Sequence, residues 1–330
     1  MKKCVSLLLA AVLCMGLTAC QLPSPQKQLS DEEVVLTLVE AFKNGDYEGL
    51  KPFISDDNPL HTFFAGMDPE TGGKMSGAYK ALYDKVRSSI SVTAQAVEGK
   101  EAWGTVSTVI SAPDYAAAIH DAMVEALADQ VTTGSTAFHD MPDWIAKAVA
   151  QGSAETREET FELHVGNRDG EMVMDTNTNR EFFAMLCGGF KPYLNASITT
   201  CTFPDGTSWV IEAQGDEIVA MINTEQVEPD SSYTEEDLAL VAQGFMDTYA
   251  AVKGITAWAG VVDGLFSASF GVDMENADTF ALNNMGIISD RTTAGSRGWL
   301  SLDSTISGFT RDGATCVTET FKPEAEESAS

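Results

Sequence analysis

Four histidines and six cysteines are the residues best suited to metal or nucleophilic chemistry, and their spacing argues against both. His61, His120, His139 and His164 all fall in the first half of the chain. The pairs His120-Asp121 and His139-Asp140 match no ligand motif and read as solvated helix ends. No Cys-x-x-Cys with a neighbouring histidine offers zinc geometry, and no Gly-x-Ser-x-Gly announces a hydrolase nucleophile. Ser24-Pro25-Gln26-Lys27 spells Ser-x-x-Lys, but in a proline-containing linker. Asp175-x-Asn177-x-Asn179 begins like a calcium loop, yet Arg180 and Leu186 stand where the turn glycine and the bidentate glutamate are needed. Asp121, Glu125 and Asp129 form an acidic helix face that water solvates. Neither a metal nor a cofactor is predicted. Glu162 and His164 share one face of a strand whose other face carries Phe161, Leu163 and Val165. With Glu155, Arg157 and Glu159 in the same segment, that face reads as solvated. Trp103, Tyr115, Trp144, Trp209, Trp258 and Trp299 offer stacking surfaces for a carbohydrate or peptide, though such rings more often fill cores and interfaces.

The elements that must carry these residues follow from length and pattern. At 330 residues, 44% hydrophobic and 21% charged, the chain has room for two cores. Its formal net charge of −29 repels phosphate backbones and anionic headgroups, which excludes nucleic acid as a partner. Membrane attachment through a basic patch is excluded on the same ground.

The N-terminus supplies the attachment instead. Lys2 and Lys3 precede a short apolar run, Val5 to Met15, too short to span a bilayer. Leu17-Thr18-Ala19-Cys20 closes it. This layout resembles the bacterial lipobox, which implies that residues 1–19 are a cleaved signal peptide and that Cys20 carries a lipid anchor. Cys4 and Cys14 leave with that signal, and residues 20–29, with two prolines, read as a tether.

Order begins at Ser30, which with Glu33 forms a capping box for a helix through Val34, Val35, Leu38, Ala41 and Phe42, stopped at Asn44-Gly45. Further helical segments fall at Asp46 to Ile54 and Ala78 to Arg87. Period-two strands then run over Ile90 to Ala96 and Val106 to Ile110, about a turn at Glu98-Gly99-Lys100. Pro113 opens the next helix, whose buried stripe is Ile119, Ala122, Met123, Ala126 and Leu127. A helix over Pro142 to Gln151 and a strand through Phe161 to Val165 follow, with a turn at Asp169-Gly170 and a return strand through Met172 and Met174. Thr178 and Glu181 cap a helix through Phe182, Phe183 and Leu186. From Ile198 a three-strand meander, a helix capped by Thr234 and Asp237, two strands hinged at Asp263-Gly264 and a helix over Ala277 to Met285 are expected. Strands at Ser301 to Ile306 and Ala314 to Thr320 complete the pattern. The fold class is α+β, with two domains, 30–190 and 191–322, each a mostly antiparallel curved sheet packed with helices; residues 323–330 form an acidic tail.

Val35 to Tyr47, Ala112-Pro113-Asp114-Tyr115 and Asp169 to Asp175 leading into Gly188-Gly189 resemble the cystatin-like cone of the nuclear transport factor 2-like superfamily, as found in Gram-positive lipoproteins. Cys201, Ile211 to Ile218, Tyr249 with Val252 to Ile255, Val272-Asp273-Met274 with Ala277-Asp278, and Cys316 after Gly313 resemble the YehR-like lipoprotein family. The first resemblance implies a sheet wrapped on helices that hosts both pockets and inert modules; the second implies fold and location only. Three cysteines remain in the mature chain. Cys201 and Cys316 lie on strands at opposite ends of the second domain's chain, which meet in a compact sheet, and are predicted to form a disulfide. A Cys187 to Cys201 bridge is the competing pairing. The expected function is a non-catalytic, lipid-anchored envelope lipoprotein, binding an unidentified ligand or envelope protein at a groove or at the domain junction. An isomerase or dehydratase pocket in the first domain, of the kind where a buried acid/base residue lines the cone, is the alternative.

Overall fold

The computed structural model describes residues 29–55, 58–97, 104–151, 154–168, 171–174, 178–189, 196–288 and 300–320. Ten α-helices and ten strands are assigned among them, forming two antiparallel sheets of four and six strands in an α+β arrangement.

The first half begins with α1 (Asp31–Asn44), whose Ser30 hydroxyl accepts from the Glu33 N–H while the Glu33 carboxylate accepts from the Ser30 N–H. Gly45 ends it in the left-handed conformation, at φ 71°. The short α2 (Tyr47–Leu50), α3 (Pro59–Met67) and α4 (Ser76–Arg87) follow. Phe42, Phe63, Tyr79 and Tyr83 from these helices make edge and tilted ring contacts in the core. The four-stranded sheet has the order β1 (Ser91–Ala96), β2 (Gly104–Asp114), β3 (Glu155–Arg168), β4 (Glu171–Met174). Between β2 and β3 the chain makes α5 (Ala116–Thr133) and α6 (Met141–Gln151), and α7 (Arg180–Leu186) follows β4.

The second sheet has the order β10-β5-β6-β7-β9-β8, from β5 (Ala196–Thr202), β6 (Ser208–Gln214), β7 (Glu217–Val227), β8 (Ile255–Val262), β9 (Leu265–Asp273) and β10 (Thr315–Thr320). Period-two alternation divides its side chains between two covered faces. Ile211, Ala213, Met221, Phe270 and Val272 pack with residues of α8 (Glu235–Ala250), α9 (Thr279–Asn284) and α10 (Leu302–Arg311). The opposite face contributes Ala196, Ile198, Val210, Ala220 and Ile222 to the same hydrophobic cluster as α1 and α4–α7. No strand is exchanged between the sheets, yet the core runs without a break from one half into the other. Gly271 is one point of close approach: a Cβ there would sit 2.4 Å from Leu127 Cδ2 of α5.

Three expected local features differ. Pro113 lies in β2, opposite Thr156, and α5 starts only at Ala116; the Asp114 carboxylate accepts from the Ala116 N–H and supplies the start that a proline was expected to give. The residue preceding α7 is Asn179, not Thr178, and its amide bonds the His164 backbone on both sides instead of capping the helix. Residues 302–311 are a helix rather than a strand. There Ser301 accepts from the Ser304 N–H, and Leu302 and Thr305 are buried one turn apart, so the cap and helical spacing outweigh the β-branched residues. The expected turns at 98–100 and 169–170 lie outside the described residues.

Candidate functional site: a cleft at the junction of the two halves

A cleft of about 510 Å³ lies between α5, α6 and α7 on one side and β5, β6 and β7 on the other, and polar groups from both sides line it. Its walls are apolar: Ile119 and Met123 from α5, Met141, Trp144 and Ile145 from α6, and Met185 from α7.

Glu212 lines this cleft from the middle strand β6. It stands opposite Ile198 on β5 and Ala220 on β7, positions at which the same face buries apolar residues. Only 2% of Glu212 is exposed, its Oε2 has no hydrogen-bond partner among the described residues, and burial pushes its carboxyl up to about 8. Across the cleft, Trp144 is 7% exposed and its Nε1–H has no acceptor among the described residues. A buried polar atom without a partner costs about 1–3 kcal/mol. Two residues that line one mostly apolar cleft thus each carry a buried polar atom with no partner among the described residues.

The rim is acidic. Asp114, Glu181, Glu217 and Glu275 line it, and among the described residues Arg157 is the one lysine or arginine of the lining. Arg157 is engaged by Glu159 at 2.9 Å and by Asp114 at 3.6 Å. His120 sits where α5 meets the second sheet, with Nε2 3.1 Å from Asp273 Oδ1 and 3.4 Å from Glu275 Oε2. Asp273 is further held by the Asn276 amide and the Glu275 N–H, so this cluster ties the two halves together beside the cleft. On the opposite side, Gly189 passes so close to Asp114 that a Cβ would lie 2.0 Å from its Oδ1, and φ is 77° there. Glycine is required at that turn.

The residues singled out by spacing are dispersed. Glu162 is exposed and His164 half-buried on β3, and neither lines the cleft. Asp121, Glu125 and Asp129 are exposed along α5. His139 is partly buried, which lowers its pKa from the usual histidine value. Among the described residues, no group of three or more His, Cys, Asp or Glu side chains is placed to hold a metal ion. Of the tryptophans among the described residues, Trp144 alone lines the cleft; Trp209 packs on Phe270 and Phe309 in the second core. Trp103 and Trp299 lie outside the described residues, as do the calcium-loop residues Asp175 and Asn177.

Cys201 and Cys316 face one another in register on β5 and β10 and are disulfide-bonded. Cys187 is free and buried at the end of α7, and burial raises its thiol pKa. A disulfide fits an oxidising, extracytoplasmic compartment. Among the described residues no helix is long and apolar enough to cross a membrane. The lipobox residues Leu17, Thr18, Ala19 and Cys20 lie outside the described residues.

Sequence reasoning missed Glu212 as a site residue. The available signal was Val210, Glu212 and Gln214 on one face of β6 together with Ala196 and Ile198 on β5: a face partly apolar in two adjacent strands is a face that something covers.

No protein-family model matches the chain, and no curated protein matches it. Among solved structures, the NMR structure of the E. coli YehR protein is similar over 41% of this chain and 97% of its own, at 18% identity and a TM-score of 0.31. The NMR structure of a protein from Streptococcus pneumoniae TIGR4 is similar over 37% of this chain and 85% of its own, at 9% identity and a TM-score of 0.29. Likenesses this distant establish no shared family.

Proposed function

We propose that this chain is a lipid-anchored, extracytoplasmic binding protein that holds a small ligand in the cleft between its two sheets. The observation that carries the reading is the pair Glu212 and Trp144, which both line the cleft, are each more than nine-tenths buried, and each carry a polar atom with no partner among the described residues. Such atoms cost stability unless something binds them. Among the described residues the lining offers no serine, threonine or cysteine to act as a nucleophile, which favours binding over acyl or phosphoryl transfer. The anchor rests on Leu17-Thr18-Ala19-Cys20, and the assignment of the two halves to cystatin-like and YehR-like lipoprotein modules belongs to the same proposal.

The test is a small-molecule screen by ligand-observed NMR against the wild type and Ala116→Trp. Ala116 is half-exposed and lines the cleft, so the indole fills the space without entering the core. Compounds that bind the wild type should lose binding to the variant. Compounds retained equally by both would show that binding occurs elsewhere.

A further inference from the structure

The cleft also specifies a ligand chemistry, an inference that rests on the cleft being the binding site. We propose that it recognises a small organic ammonium ion with an apolar body, Glu212 serving as the counter-ion and the Trp144 Nε1–H donating to an uncharged acceptor, a hydroxyl or carbonyl, on the same ligand.

Three observations converge. Among the described residues Glu212 Oε2 has no hydrogen-bond donor, in a cleft where Arg157 is already engaged by Glu159 and Asp114. A donor on the ligand would fill that place, and a positive one gains most, because a charge-assisted bond in an apolar setting is about twice as strong as a neutral one. The rim carboxylates set the sign of what enters: an anion would meet Asp114, Glu181, Glu217 and Glu275 before reaching Glu212. The methionine and isoleucine walls and the Trp144 ring then suit an aliphatic or aromatic body and a cation near the indole face.

Occupancy and protonation are coupled. Burial stabilises the neutral acid by raising its pKa, while an ammonium ion stabilises the carboxylate. Binding therefore expels the Glu212 proton to solvent and leaves an ion pair. The titratable and charged groups that line the cleft with Glu212, among the described residues, are Asp114 on β2, His120 on α5, Arg157 on β3, Glu181 on α7, Glu217 on β7 and Glu275 beyond β9. All are retained in Glu212→Gln, so the difference between the two proteins isolates Glu212.

The experiment is calorimetric titration of the full chain with 2-amino-3-phenylpropan-1-ol, its N-acetyl derivative and 3-phenylpropionate, in two buffers of different ionisation enthalpy. The amino alcohol should bind at least about 10-fold more tightly than the other two and release about 0.9 proton per site at pH 7, a release that fades by about pH 9. In Glu212→Gln, with its fold checked by circular dichroism, the amino alcohol should lose about 10-fold or more in affinity and all of the proton release, while the N-acetyl compound is unchanged. If the N-acetyl compound binds as tightly as the amine and both are lost in Ala116→Trp, the cleft stands as a binding site and ammonium recognition falls. If amine binding survives Ala116→Trp, both ideas fall. If the amine does not bind, or binds without proton release, the ammonium inference is overturned.

Discussion

Replacing Glu212 by glutamine preserves shape and hydrogen-bonding capacity but removes the ionisable proton, so its effect on stability must depend on pH. The carboxyl has a reference value of 4.5 and is pushed up to about 8 in the fold. Between those two values the folded chain binds a proton that the unfolded chain has lost, so stability falls as pH rises. At about 1.36 kcal/mol per pH unit, the cost of keeping Glu212 buried is under about 1 kcal/mol at pH 5, about 3 kcal/mol at pH 7 and on the order of 5 kcal/mol above pH 8. Glutamine carries no such cost. Urea unfolding of the wild type and Glu212→Gln across this range should give nearly matched stabilities at the acid end and a growing advantage for the variant toward alkaline pH. A difference independent of pH, or a variant less stable at pH 8, would refute the burial of an unpaired carboxyl.

Removing the disulfide with Cys201→Ser and Cys316→Ser reopens a loop of sequence separation 115 and should cost roughly 4–5 kcal/mol in the chain-entropy model; thermal unfolding unaffected by the double change would contradict a formed bond. Gly271→Val places a Cβ 2.4 Å from Leu127 Cδ2 and should destabilise by about 1–3 kcal/mol. Adding Leu127→Ala should return part of that loss, and strictly additive effects would show that the two sites do not touch. Cys20→Ala should move the protein from the membrane fraction to the soluble fraction of the expressing cells; retention in the membrane would end the lipid-anchor reading.

What was legible in the sequence is local. Ser30 with Glu33 and Thr234 with Asp237 are capping boxes in the structure as in the spacing. Asp263 and Gly264 both have positive φ in the tight turn between β8 and β9, which the dipeptide announces. The Cys201–Cys316 pair followed from a compactness argument about the ends of one sheet. What was not legible depends on which element covers which face. Val210-x-Glu212-x-Gln214 reads as the wet side of an antiparallel sheet, and only the docking of α5 and α6 from the other half turns Glu212 into a buried residue. The same docking selects Trp144 among the tryptophans and leaves Glu162 and His164, the more conspicuous pair in the sequence, away from the cleft.

The most direct test of the cleft is the indole N–H region of a ¹⁵N-correlated NMR spectrum, where the five tryptophans give separate signals and Trp144→Phe assigns one of them. Titration with 2-amino-3-phenylpropan-1-ol should move the Trp144 Nε1–H signal downfield as it gains an acceptor, and Glu212→Gln should weaken that response. Binding that leaves the Trp144 signal in place while other indoles shift would contradict the account.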